Sequence, residues 1–185
     1  MEKIRCGWCE KDDLYRKYHD EEWGRPVYDD ETIFEFLILE SFQAGLSWYT
    51  ILSKRENFRK AFDYFDYNKV AVYSDQKIEE LMNNSGIIRN KLKICAAVTN
   101  ARKFLEVQEE FGSFSKYIWG FIDGRPIDNK PKALSEVPAT TEISDKISKD
   151  LKKRGFKFVG STVIYAHMQA TGMVNDHIET CFIRK

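Results

Sequence analysis

The residues best placed to do chemistry are one carboxylate, a set of aromatics, and a few cysteines and histidines near the two ends of the chain. Glu40 sits in the run Leu37 to Leu52, LILESFQAGLSWYTIL, with Phe36, Leu37, Ile38 and Leu39 before it and Phe42, Leu46 and Trp48 after it. A carboxylate among such neighbours is either on the solvated side of a helix or is held in apolar surroundings for a task, because burying an unpaired charge is costly. Upstream, DDLYRKYHDEEWG places Tyr15, Tyr18 and Trp23 around His19. Aromatic clusters ordinarily pack cores. Joined to a carboxylate and to Trp48, they describe a box with aromatic faces and one negative charge. Such a box suits a flat, cationic, aromatic ligand, through stacking, cation–π attraction and charge pairing.

The chain has three histidines and four cysteines. His177 and Cys181, in HIETC, are four residues apart, which on a helix sets both on one face. At the other end, Cys6 and His19 lie in loop-like sequence. Two cysteines and two histidines make a closed structural zinc site with no position left open for chemistry. It would staple the N-terminal segment to the C-terminal helix and order two regions that otherwise fray. Cys9 competes with His19 for a place in that set, since CGWC is a C-x-x-C unit that could supply two ligands by itself. Spacing alone does not choose between them. A redox C-x-x-C sits at a helix start beside a strand, and no strand is evident nearby.

The elements that must position these residues are helical. Asp29 or Asp30 can cap a helix from about Glu31 toward Gly45, followed by a second piece to about Leu52. RENFRKAFDYF reads as a helix, and Ser74 or Asp75 can cap QKIEELMNN. Ile94, Val98, Ala101 and Leu105 form a stripe that predicts a long helix over about 90–110. Gly112 and Ser113 end it and open FSKYIWGFI. Gly124, Pro126, Pro131 and Pro138 mark a loop-rich crossing. Ile143, Ile147 and Leu151 predict a helix ending at Gly155, and STVIYAHMQATG predicts one more. Sustained alternation is lacking beyond the short FKFVG. The fold class is all-α, and residues 1–185 suffice for one large domain or two small lobes around a shared core.

LMNNSGIIRNKLK is more specific. A helix ends, Gly86 allows a tight turn, Ile87 and Ile88 anchor the turn, and a basic helix starts. That is the layout of a helix-hairpin-helix over about 78–100, in which N–H groups at the turn and at the next helix N-terminus hold a DNA phosphate. An ordinary connection ended by Gly86 is the plainer reading.

The 29 basic and 29 acidic residues cancel. This argues against nonspecific coating of nucleic acid and leaves local patches at Lys54 and Arg55, at Arg89, Lys91 and Lys93, and at Lys152, Lys153, Arg154 and Lys157. Each taken alone reads as a solvated helix end. No run has the length of a membrane span, and MEKIRCGWCE has no apolar signal region, so a cytoplasmic protein with reduced thiols and no membrane partner is expected. Nothing points to an obligate partner, and a monomer is expected.

CGW, YHDEEWG, LESFQAGLSW, GIIRNKLK, GFKFVG and NDHIETC occur in an order and spacing that resembles the 3-methyladenine DNA glycosylase I family, over about Arg5 to Cys181. The resemblance implies a two-lobed helix-hairpin-helix glycosylase fold with one structural zinc held by Cys6, His19, His177 and Cys181. Cys9 then stands as a departure beside the site. It implies Glu40 as the pocket carboxylate, Tyr18 and Trp48 as base-stacking aromatics, and Tyr15 and Trp23 as further lining. Gly45 and Leu46 match the element that enters the gap left by the flipped nucleotide. Gly86, Ile88, Arg89 and Lys91 fall in the phosphate-binding hairpin. Phe42 stands where a polar residue is expected, so a slightly less polar pocket is implied.

The implied activity is hydrolysis of the N-glycosidic bond of 3-methyladenine in alkylated double-stranded DNA, with free 3-methyladenine as product. No lysine lies between Glu40 and Trp48, so a monofunctional enzyme without strand cleavage is expected. Two alternatives are a non-catalytic zinc-stapled module that binds damaged DNA, and a zinc-stapled helical interaction protein with no nucleic-acid partner.

Overall fold

Asp29 sets the start of the central helix by accepting a hydrogen bond from the Thr32 amide at 2.8 Å, an N-cap that satisfies one of the free donors of the first turn. The protein was analysed as a computed structural model that describes residues 3–184; Met1, Glu2 and Lys185, the ends of the expected 1–185 unit, lie outside the described residues. The central helix α2 (Asp30–Gln43) has buried residues on every face, continuously from Ile33 to Phe42. A helix apolar all round belongs in the middle of a fold, and α2 packs against α3 (Trp48–Leu52), α7 (Lys91–Phe111), α8 (Phe114–Trp119) and α10 (Ser161–Ala170).

The expected helices are present with sharper limits. Ser74 caps α6 (Asp75–Asn83), Asn90 caps the long α7, and Ser113 caps α8. A Thr141–Ser144 capping box opens α9 (Glu142–Lys153). RENFRKAFDYF does not run through as one helix. α4 (Arg55–Ala61) stops, and Asp63, Tyr64 and Phe65 all take positive φ before α5 (Tyr67–Val70). This left-handed turn buries Phe65 while Tyr73 donates its hydroxyl hydrogen to Asp63. The stretch between Cys6 and His19 is not all loop, because Asp12 caps α1 (Asp13–Glu21), which carries His19. Conversely, HIETC is not helical: residues 176–181 are an irregular turn.

Among the described residues the only sheet is a parallel pair, β1 (Ile127–Asp128) against β2 (Val174–Asn175). No described helix is long and apolar enough to cross a membrane.

Two apolar clusters result. The larger joins α2 to α4–α10 through residues such as Phe34, Phe58, Phe104 and Phe114. Each Phe so buried contributes about 1.5–3 kcal/mol relative to exposure. The smaller gathers Cys6, Tyr18, Trp23, Phe36, Leu52, Ala170 and Cys181, and so joins both ends of the chain to the opposite flank of α2.

Candidate active site and metal centre

α1 sends Tyr18 and His19, neighbours in sequence, to two different sites. His19 turns to a buried group with Cys6, His177 and Cys181, whose ligand atoms all lie within 4.8 Å of one another. Cys6 Sγ is 3.6 Å from His177 Nδ1, Cys181 Sγ is 3.6 Å from His19 Nε2, and Cys181 Sγ is 3.5 Å from His177 Nδ1. Adjacent S and N ligands of a tetrahedral zinc, at bond lengths of about 2.3 and 2.0–2.1 Å, stand about 3.5 Å apart. The group can hold one metal ion.

The outer partners orient the ligands. His177 Nε2–H donates to the Trp23 carbonyl at 3.0 Å, leaving Nδ1 for a metal. His19 Nδ1–H donates to Asp20 at 2.8 Å, leaving Nε2, and Arg5 in turn grips Asp20 through Nε and Nη2, each at 2.9 Å. Such partners fix tautomer and ring orientation. Burial and the Arg184 and Arg25 charges nearby push His177 down to about 4 against the pull of the Trp23 carbonyl, so its imidazole is neutral and able to ligate. Cys9 is outside the group; its thiol donates to the Cys6 carbonyl at 3.1 Å. Geometry therefore selects His19 over Cys9. It also corrects the expected helical pair, since His177 and Cys181 converge through a turn and not along a helix face.

Tyr18 turns the other way, into a cavity of about 380 Å³ lined by Trp8, Tyr15, Tyr18, Trp23, Glu40, Gln43, Trp48, Leu134, Val137, Ala166 and Gln169. All five pocket residues expected from the sequence meet there. Tyr18 and Trp48 have ring centroids 5.4 Å apart. Trp8, which sequence reasoning missed, sits 4.9 Å from Tyr15 and 5.0 Å from Trp23. Its signal was its place two residues after a metal ligand, which anchors it at the pocket wall. Gln43 and Gln169 were also missed. Phe42 does not line the cavity: it points into the core, 4.9 Å from Phe58. The expected loss of pocket polarity at Phe42 therefore does not arise, and Gln43 supplies an amide instead.

Glu40 is 3% exposed, and its Oε2 has no hydrogen-bond partner; Trp48 Nε1 is also buried and unpartnered. Burial alone pushes the Glu40 carboxyl up to about 8. Near pH 7 it is therefore mostly neutral by itself, which corrects the expectation of a standing negative charge. A cation brought against it restores the ionised form. Burial excludes the solvated-face reading of Glu40, and its Oε2 has no partner inside the protein.

A second cavity of about 240 Å³ adjoins the first, sharing Glu40, Gln43 and Ala166 and bounded by Ala44, Gly45, Leu46, Thr162 and Val163. Gly45 takes φ +82° there, with open space where a Cβ would point, and Leu46 is 40% exposed. On the same flank, α6 ends at Asn83 and leads through Gly86 into α7. Gly86 is not a left-handed helix terminator. Its surroundings are close: an added Cβ would come to 3.0 Å from Asn84 Oδ1 and 3.3 Å from the Asn57 side chain. Ile87 is buried and Ile88 half-buried, as the anchoring role requires. Arg89 and Lys91 are exposed.

In two of the basic patches read from the sequence, one member is not surface charge. Arg55 pairs with Glu35 at 2.5 Å and Glu22 at 2.6 Å, and Lys93 is 7% exposed.

The chain is similar to known proteins over nearly its whole length. The sequence model of the methyladenine glycosylase family matches residues 8–185. The chain is 48% identical over 177 residues to DNA-3-methyladenine glycosylase 1 of Escherichia coli K12, covering 96% of this chain and 95% of that one. It is 46% identical to DNA-3-methyladenine glycosylase of Haemophilus influenzae, with 96% of each chain covered. Among solved structures, a 3-methyladenine DNA glycosylase I superposes with a TM-score of 0.93 at 48% identity, covering 97% of this chain and 98% of that one. The Staphylococcus aureus enzyme, solved to show how 3-methyladenine is recognised, superposes with a TM-score of 0.95 at 37% identity, covering 98% and 96%.

Proposed function

The chain belongs to the methyladenine glycosylase family, and from that premise we propose that it releases 3-methyladenine from alkylated double-stranded DNA by hydrolysing the N-glycosidic bond of a flipped-out nucleotide. The observation that carries this reading is the pair of buried, unpartnered polar groups, Glu40 Oε2 and Trp48 Nε1, in a cavity walled by aromatics. Unpaired groups of this kind in a protein interior call for an explanation, and a ligand is one.

N3-methylated adenine in DNA is cationic, so its bond to C1′ is already weakened. The C1′–N bond breaks and the base leaves with the bonding electrons, which neutralise its charge; water forms the new C1′–O bond and releases one proton to solvent. Tyr18 and Trp48 would stack on the base, with Tyr15 and Trp23 as further walls. Glu40 would accept a hydrogen bond from the base edge, and the cation would draw its carboxyl to the ionised form. The same charge favours positive charge developing on the sugar. Gly45 and Leu46 would enter the gap in the duplex, a role supported by their exposure at the pocket mouth.

Gly86, Ile88, Arg89 and Lys91 would hold a backbone phosphate in helix-hairpin-helix fashion at the Asn90-capped start of α7. Zinc is the ion proposed for Cys6, His19, His177 and Cys181, where it would be structural. Lys93 Nζ is engaged by two backbone carbonyls and so is not itself free to attack the sugar; we take the enzyme as monofunctional. We take residues 1–185 as one glycosylase domain acting as a monomer in the cytoplasm, where free thiols such as those seen here persist.

The test is release of free base from methylated duplex DNA by wild type and Glu40→Gln, with metal content measured on both. The expected result is release of 3-methyladenine by wild type and a loss of about 2–4 kcal/mol of transition-state binding in the variant, at unchanged metal. Folded, metal-loaded wild type that retains damaged DNA without releasing base would replace this reading with that of a binding module.

A further inference from the structure

Lys93 lies in the first turn of α7, where its backbone amide donates to the capping Asn90 side chain at 3.2 Å. Its own side chain does not reach solvent. Nζ donates to the Phe42 carbonyl at 2.8 Å and to the Ala44 carbonyl at 2.5 Å. These carbonyls belong to the last turn and C-cap of α2, where the helix leaves its final C=O groups without partners and its dipole is negative. Burying an ammonium is costly, and a methionine would fill a similar volume without that cost. What methionine cannot do is donate to the two carbonyls.

The consequence is positional. Residues 86–91, the proposed phosphate grip, lead directly into Lys93. Phe42 and Ala44 lead directly into Gly45 and Leu46, the proposed insertion loop. Glu40 is one half-turn before the carbonyl that Lys93 holds. Gly45 has φ +82°, with nothing within 4 Å of the place a Cβ would take. The Leu46 amide closes back only on the Gln43 carbonyl, at 2.6 Å.

We propose that Lys93 is the positioning residue that couples the phosphate-binding hairpin to the insertion loop, setting Gly45 and Leu46 at a fixed distance from the DNA backbone while Glu40 faces the base. The inference rests on the proposed function and adds to it a device by which backbone binding places the wedge.

The experiment compares wild type with K93M, both checked for metal content and thermal unfolding, in three assays. Excision from methylated duplex DNA falls by about tenfold or more, as a misplacement of about 1 Å costs far from the chemistry. Binding of free 3-methyladenine, followed by tryptophan fluorescence, stays within about twofold, because the pocket walls do not depend on the loop. The preference for a duplex carrying a tetrahydrofuran abasic analogue over an intact duplex is lost, while binding to intact duplex is kept. K93R, which keeps two donors, recovers part of the excision. K93M that excises within about twofold of wild type overturns the proposal. So does K93M in which excision and free-base affinity fall in step, since that describes a lysine that merely supports the fold. Should K93M not fold, K93Q, whose amide is uncharged and sits on a shorter side chain, is read by the same criteria. A wild type that excises nothing would overturn the proposed function itself, and is distinguished from either result by its occurring without any substitution.

Discussion

The metal centre and the base pocket are separated by one residue step on α1, from His19 to Tyr18, yet they treat buried polar groups in opposite ways. At the metal centre the second nitrogen of each histidine finds a partner inside the protein: His177 has the Trp23 carbonyl, and His19 has Asp20, itself held by Arg5. In the pocket a carboxylate oxygen and an indole N–H are buried with none. α2 contains the same contrast within one helix. Glu35 is buried and gripped by Arg55 and Arg59; Glu40, five residues later, is buried and gripped by nothing. Where the chain supplies its own partners, the arrangement stabilises the fold. Where it withholds them, each orphan costs about 1–3 kcal/mol, which the polar groups of a ligand can offset. A site of the first kind is structural, and one of the second kind is waiting for a substrate.

Breaking the first region should have the largest effect. Cys181→Ser removes a thiolate ligand, and with it the tie between a turn at the C-terminal end and the segment that carries Trp8, Tyr18 and Trp23. We expect metal content to fall away and stability to drop by more than about 4 kcal/mol, a size reserved for lost metals, broken cores and stranded charges. Thermal unfolding with metal analysis checks this, and a midpoint lowered by only a degree or two would mean that the ion is not what holds the ends. Cys9→Ser sharpens the contrast. Its thiol touches only the Cys6 carbonyl, so metal content should be unchanged.

The second region is tested by pH. Folding raises the Glu40 carboxyl from 4.5 to about 8 by burial. The neutral acid is the form the fold accommodates. Its contribution to stability is therefore fully present below about pH 4.5 and is lost as pH rises to about 8, above which it changes no further. Across that window Glu40→Gln should gain stability over wild type by up to about 1.4 kcal/mol per pH unit, while losing excision. Glu35→Gln should do the reverse, destabilising throughout by removing the buried carboxylate that Arg55 and Arg59 share. Denaturant unfolding of the three proteins at pH 5 and pH 9 decides it. Parallel behaviour of the two glutamines would mean that Glu40 has a partner and that the comparison fails.

How much of this was legible in the sequence follows the same division. The helices with periodic apolar stripes and capping residues, such as α6, α7 and α9, were placed to within a residue or two because the signals are local. The left-handed turn at Asp63 to Phe65 was not legible, since three non-glycine residues at positive φ are held there by packing from elsewhere. The metal quartet was partly legible: residue types suggested it, but the choice of His19 over Cys9 depended on which way two side chains turn in space. Trp8 and Gln43 were missed because neither stands in an apolar pattern that marks it. Phe42 was tied to the pocket by the family resemblance, whereas helix rotation directs it to Phe58. Lys93 looked like one more solvated charge, and its burial follows only from where α2 ends.

The smallest expected effect concerns His167, which complicates the division between structural and ligand-facing groups. Both its ring nitrogens are buried without partners, and burial pushes it down to about 3, so it is neutral. Yet its neighbours Ala166 and Gln169 line the base cavity and it does not. An orphan that faces no ligand has no function to recover its cost, so it should behave as an imperfect core side chain. His167→Phe keeps a planar ring and removes two unsatisfied nitrogens. We expect a gain of about 1 kcal/mol, or a midpoint higher by about 2–4 °C, with metal content and excision unchanged. A loss of excision in this variant would move His167 to the ligand side, and would show that a buried orphan on α10 is felt through Ala166 at the pocket wall.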